Sequence, residues 1–312
     1  MTAETIPHPL TDAHIHDHRI TWRATAFPCR AVTPRGTVRG APILVLSGGL
    51  QNRHSWTRLE RHLAACHPLI IPDLPPAHSP GRATLCLSWE DLTDAAVRAV
   101  DQLGADRFAV LAVSSGYPIG YRLAQRHPDR VARLLLFGAS PRPGPRLTEL
   151  IKEGLRRENA PLPATALHSA AERRTAAEEL VGVLTNTQAA QHHVMMKAAA
   201  RVLADQLSSS QHDPLVRYVL DRGALLLHTP LPPGGLTGVP ALVGVGEYDT
   251  ATTVADNRAV AATISGAAFV VMQHADHLLH MERDTDFATL ISHFLHGGRL
   301  DDLPHCTTET LP

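Results

Sequence analysis

Short apolar runs recur along the chain and alternate with stretches whose apolar residues return every three to four positions. The runs are Ile43-Leu44-Val45-Leu46, Leu69-Ile70-Ile71, Phe108-Ala109-Val110-Leu111, Val131 through Phe137, Val239 through Gly246 and Ala267 through Met272. A run without polar alternation, ended by glycine or polar residues, predicts a strand buried on both faces, as in a parallel sheet. Between the runs, Trp56, Leu59 and Leu63 mark the apolar side of one helix, and Leu92, Ala95, Ala96, Ala99 and Leu103 that of another. Strands and helices in alternation predict a mostly parallel central sheet flanked by helices, an α/β fold. Residues 19–33 read as an antiparallel edge pair limited by Pro28 and Pro34.

The alternation stops between residues 140 and 236. This interval opens with Pro141-Arg142-Pro143-Gly144-Pro145 and closes with Pro230-Leu231-Pro232-Pro233-Gly234-Gly235, both strong interrupters. Helical periodicity occupies about 146–158, 170–184, 187–207 and 213–227. The organisation expected is an N-terminal segment with edge strands over 1–40, a core domain over 41–139 and 237–298, a helical insertion over 140–236, and a C-terminal tail over 299–312.

Candidate chemistry lies where the strands end. Ala112-Val113-Ser114-Ser115-Gly116 follows the run at 108–111 and precedes a helical pattern that continues through Arg126. A serine held on a sharp strand-to-helix turn needs small residues two before and two after it, because strand and helix approach closely there. Ser114 has Ala112 and Gly116 at those positions, whereas Ser115 would have Val113 and Tyr117. Ser114 is therefore the candidate nucleophile. The run at 239–246 leads directly into Glu247-Tyr248-Asp249, and the run at 267–272 into Gln273-His274-Ala275-Asp276-His277-Leu278-Leu279-His280-Met281-Glu282. Serine, acid and histidine thus each sit at a strand exit, in that chain order.

In these segments the chain resembles the α/β-hydrolase superfamily over roughly residues 40–297. The elbow is A-x-S-x-G where the family form is G-x-S-x-G. Gly246 through Asp249 matches its G-x-x-D, and Asp276 through Glu282 its G-H-x-x-H-x-E, with Asp276 at the position that more often carries glycine. Ser47-Gly48-Gly49 stands where the family has H-G-x, and Asp73-Leu74-Pro75-Pro76-Ala77-His78-Ser79-Pro80 is similar to its D-L-P-G-x-G-x-S loop with the glycines replaced. The resemblance implies a catalytic set of Ser114, Asp249 and His277, with oxyanion donors at Gly49 and Ser115. Glu247 and Asp276 are set aside as the acid, the one by its distance from the strand and the other as the histidine's direct neighbour. His274 and His280 are set aside as the base. The insertion corresponds to a helical cap, whose Met195, Met196 and Leu203, with Leu50 from the core, are expected to bind substrate.

Composition narrows the class. Twenty-nine Lys and Arg against 30 Asp and Glu leave a net charge of -1, so no nucleic-acid partner held by bulk charge is expected. The apolar runs fall far short of the roughly 20 residues that span a bilayer, and residues 1–9 lack the basic start and apolar core of a secretory signal. A cytoplasmic enzyme without a membrane partner, monomeric or homodimeric, is expected. Cys29, Cys66, Cys86 and Cys306 show no paired spacing and read as free thiols. His14, His16 and His18 alternate as metal ligands on a strand could, but we read them as a solvated terminal segment and expect neither metal nor cofactor. The resemblance implies hydrolysis of an ester in a small apolar molecule. The Ala-, Arg- and Leu-rich composition and the Asp276–His280 segment look like hydrolase-like proteins encoded beside polyketide pathways. The alternatives there are elimination of acetate or cyclisation on the same fold, and a ligand-binding receptor is the third reading.

Overall fold

The computed structural model describes residues 13–36, 38, 40–76, 87–159, 169–209, 222–228, 231 and 233–311. The expectations placed on residues 1–12, on loop positions 77–80, on Cys86 and on the helical stretch at 213–221 lie outside them.

Nine strands among the described residues form one sheet in the order β1-β2-β4-β3-β5-β6-β7-β8-β9. They are β1 (Ala13–Trp22), β2 (Thr25–Pro34), β3 (Ile43–Leu46), β4 (Leu69–Pro72), β5 (Phe108–Val113), β6 (Val131–Phe137), β7 (Ala241–Gly246), β8 (Ala268–Met272) and β9 (Cys306–Thr310). Strands β4 through β8 are mutually parallel, while β1, β2 and β9 pair antiparallel at the two sides. The parallel strands are apolar because both of their faces are covered. On β5, Phe108, Val110 and Ala112 join the cluster that contains α2 (Trp89–Gln102), α3 (Tyr117–Arg126) and α8 (Val254–Ala261). Ala109, Leu111 and Val113 join the opposite one, with α1 (Thr57–Leu63) and α9 (Asp284–Leu295). Side chains alternate across a strand, so one run of six apolar residues feeds two cores.

Two expectations about the sheet margins change. The N-terminal pair is longer than 19–33, and Pro28 lies inside β2 opposite Arg19 rather than limiting it. The N and C=O of one strand residue point the same way, and the Pro28 carbonyl accepts the Asp73 N–H. Its missing donor therefore faces Asp73, just beyond the last β2–β4 pair, Cys29 with Pro72, and the β1–β2 ladder loses no bond. The early start of β1 also puts His14 and His16, exposed, on an edge strand instead of a solvated terminal segment. At the other margin, the segment expected as a tail carries β9, whose polar Thr307-Thr308-Glu309-Thr310 conceals a strand from hydropathy.

Between β6 and β7 lie α4 (Pro145–Asn159), α5 (Ala170–Leu184), α6 (Val194–Ser209) and a short helix α7 over 222–228. Ala177, Val181, Ala199, Leu203, Ala204 and Leu207 pack with Leu50 and Leu278, which tie this insertion to the loops at the strand exits.

Candidate active site

Strand β5 delivers Ser114 at its end, and the backbone turns there through φ +50°, a region L-residues seldom occupy. The crowding that favours this turn is measurable. A Cβ on Gly116 would lie 2.4 Å from the Leu46 carbonyl oxygen, and one on Gly120 would lie 2.7 Å from the Cβ of Ala112. Small residues at 112, 116 and 120 thus let α3 leave the sheet at once. The Tyr117 hydroxyl donates to the Ser140 carbonyl and fastens the start of α3 to the exit of β6.

His277, on the loop after β8, sets its Nε2 3.1 Å from Ser114 Oγ and its Nδ1 2.8 Å from Asp249 Oδ2. Gly138 makes room for the ring, since a Cβ there would stand 3.1 Å from His277 Cε1. Asp249, on the loop after β7, is held by the Ala251 and Thr252 backbone N–H groups at 2.9 and 2.8 Å and by the Thr252 hydroxyl at 2.9 Å. Asn257 on α8 braces the same loop, donating to the Thr252 carbonyl and accepting the Ala139 N–H. Burial opposes a charge on His277, but the charge and hydrogen bond of Asp249, with Asp276 and Glu282 behind, leave its pKa above the usual imidazole value.

The other titratable groups are arranged differently. Glu247 accepts the backbone N–H of His274 at the surface, away from His277. His280 is buried against Trp56, and its Nε2 accepts from the Gln51 amide at 2.6 Å. Burial and the neighbouring His277 push its pKa down to about 3, so it is a neutral acceptor. Burial drives Asp276 up to about 6 and Glu282 up to about 7, against the hydrogen bonds that they accept. Ser115 Oγ is buried with no hydrogen-bond partner among the described residues, and no base stands against it.

The turn after β3 faces the elbow. Ser47, in the place of the family's histidine, accepts from Trp56 Nε1 at 2.9 Å, and the Gly48 N–H donates to Gln51 Oε1 at 2.7 Å. Gln51 therefore spans from this turn to His280. Gly49, Leu50, Ser114, Ser115 and His277 border a cavity of about 210 Å³. Its far wall is apolar, with Leu147, Ile151, Leu180, Leu184, Leu203 and Leu226 from the insertion. Its near rim is polar, and among the described lining residues Arg58 is the one side chain with a permanent charge.

A family model described as the α/β hydrolase fold matches residues 41–284. The chain belongs to the α/β hydrolase fold family. No curated protein matches it in sequence. Among solved structures, an esterase from Thermogutta terrifontis with malate bound is 22% identical, with a TM-score of 0.67 over 90% of this chain and 98% of that one. An enol-lactonase from Burkholderia xenovorans is also 22% identical, with a TM-score of 0.67 over 89% and 100%. A 2-hydroxy-6-oxo-6-phenylhexa-2,4-dienoate hydrolase from a Rhodococcus species is 17% identical, with a TM-score of 0.65 over 91% and 99%. At these identities the likeness is one of fold.

The substrate-contact expectations for this hydrolase-fold chain divide. Leu50 and Leu203 line the cavity. Met195 does not: it is 49% exposed on the solvent side of α6, one position out of phase with the buried face Met196, Ala199, Leu203 and Leu207. Met196 is buried but is not among the residues lining the cavity. The residues of α6 that do line the cavity, Val202, Leu203 and Gln206, begin about two helical turns beyond Met195 and Met196. Sequence reasoning also missed Gln51, Thr252, Asn257 and Asn186. Thr252, three residues after Asp249, carried a local signal, since a hydroxyl there reaches back to a loop carboxylate. Gln51 carried none, because its partner His280 is 229 residues away.

Proposed function

We propose that this chain is a serine esterase that hydrolyses an ester in a small, largely apolar molecule. The observation that carries this reading is the unbroken series Ser114 Oγ, His277 and Asp249 opening onto an apolar cavity. His277 Nε2 takes the Ser114 proton as Oγ attacks the ester carbonyl, and Asp249 accepts from Nδ1 and stabilises the imidazolium. The backbone N–H groups of Ser115 and Gly49 meet the oxyanion. Collapse expels the alcohol, protonated by His277. Water, deprotonated by the same nitrogen, then releases the acid.

The helical insertion acts as a cap. Its leucines take the hydrocarbon part of the substrate, and the rim from Gln51 to Arg58 receives the oxygen-bearing end. A cavity of about 210 Å³ suits a small ligand. The names of two fold relatives, an esterase and an enol-lactonase, support ester chemistry. The resemblance to proteins encoded beside polyketide pathways supports a natural-product intermediate as substrate.

The test is intact mass and peptide mapping after treatment with a fluorophosphonate, followed by assay on short acyl esters. Ser114 carries the adduct, Ser115 does not, and esters are cleaved with uptake of labelled oxygen from water. An adduct on Ser115, or none on folded protein, overturns the proposal. Release of acetate to form an alkene, without that uptake, assigns the site to elimination instead.

A further inference from the structure

Beside the serine–histidine–aspartate series the molecule buries a second polar connection that the chemistry above leaves unused. Asp276, fully buried, directly precedes His277. One of its carboxylate oxygens accepts the backbone N–H of Asn186, and the other has no hydrogen-bond partner among the described residues. Asn186 belongs to the helical insertion, two residues beyond the end of α5. Its Nδ2 donates to the Tyr248 carbonyl at 3.1 Å, one residue before Asp249. Its Oδ1 accepts the Ala189 N–H at 3.0 Å, which fixes the turn that leads on toward α6.

Core contacts hold Asp276 from the other side. Its backbone N–H donates to Glu282 Oε2 at 2.6 Å, and its carbonyl oxygen sits so close to Gly246 that a Cβ there would be 2.4 Å away. One residue of the insertion is therefore bonded to both the loop bearing Asp249 and the loop bearing His277.

We propose, on the basis of the serine-hydrolase reading, that Asn186 and Asp276 are positioning residues that latch the helical insertion to both loops and so hold His277 and Asp249 in register with Ser114. A carboxylate out of water needs its donor, because an unpartnered buried charge is strongly unfavourable. The site that needs the insertion to satisfy Asp276 is thus assembled fully only when the insertion is docked. Asp276 also acts on the base electrostatically. The charged groups facing His277 are Asp249 from the loop after β7 and Asp276 and Glu282 from its own segment, with neutral His280 alongside. Removing the negative charge of Asp276 makes His277 easier to deprotonate.

The rate at which a small fluorophosphonate labels Ser114, followed by intact mass across pH, reads this register without a known substrate. The full-length parent is compared with D276N, D276A, N186A and the N186A/D276A double variant. D276A and N186A are expected to label at least about tenfold more slowly, since small misplacements of reacting groups cost rates of that order. D276A removes the acceptor of the Asn186 backbone N–H, whereas N186A removes the side-chain bonds to Tyr248 and Ala189, so the two break the latch at different points and the double variant should be no faster than the slower single. D276N keeps an acceptor for the Asn186 N–H, so its plateau rate stays within about threefold of the parent while its acid limb moves to lower pH. D276A and N186A labelling at the parent's rate, with the parent's acid limb, overturns the latch. If D276A does not fold, N186A decides alone, and a parental rate and profile in N186A overturns it equally. A folded parent that takes no label refutes the serine-hydrolase reading instead.

Discussion

Ser114 illustrates how a single residue carries strain that its neighbours enforce. Its positive φ has an energetic cost on the order of 1–3 kcal/mol and persists because the β5–α3 turn leaves no alternative. The same scale decides the acid. Asp249 has three protein donors in addition to His277, so its carboxylate is fixed, whereas Glu247 bonds a surface loop. Asp249→Asn should preserve the fold but lower kcat by up to about 10⁴-fold, since an amide favours the wrong imidazole tautomer. Glu247→Gln should remain within a few-fold of the parent, and the reverse ranking in steady-state assays would mean the acid is misassigned. A pH profile adds a check with a definite sign. His277 must be neutral to accept the serine proton, and its pKa is raised, so kcat/KM should climb with pH through a midpoint above 6.5.

Among the elements, the strands announce themselves best, because a parallel strand needs apolar residues on both faces and β3, β5, β6 and β7 have them. β9 does not announce itself: its side chains are mostly polar and its existence depends on the backbone of β8. Helix α6 falls between these cases. Its periodicity was legible, but Val194 and Met195 are exposed apolar residues and Val202, also exposed in part, lines the cavity, so hydropathy does not mark which positions meet it. Leu203→Ala should enlarge the cavity and change the preferred acyl length, seen as altered kcat/KM ratios across an ester series. Met195→Ala should leave those ratios unchanged. Equal effects from the two would place the substrate elsewhere than against this face of α6.

For the whole molecule, the antiparallel margins protect an otherwise open parallel sheet. β9 covers β8 along its full length, and Arg258 on α8 holds Glu309 of β9 through a two-pronged ion pair at 3.0 and 2.7 Å. Truncation after residue 303 should lower Tm by on the order of 5 °C. The bared β8 edge should also promote association, detectable by size-exclusion chromatography. A truncated chain that melts with the parent and stays monodisperse would show that β9 contributes little. Among the described residues no helix is long and apolar enough to cross a membrane.

What the sequence determined by itself follows from local physics. Apolar runs set the strands, steric need for small residues at 112 and 116 marked Ser114 over Ser115, and chain order offered Asp249 and His277 as partners. Tertiary structure alone decided which distant groups meet. Ser114 and His277 are 163 residues apart, Gln51 and His280 are 229 apart, and Asn186 reaches Asp276 across 90. No periodicity encodes such pairs, because each depends on where the sheet order and the helical insertion bring two loops. The rotation of α6 was likewise set by packing against Leu50 and Leu278, contacts that exist only once the chain has folded.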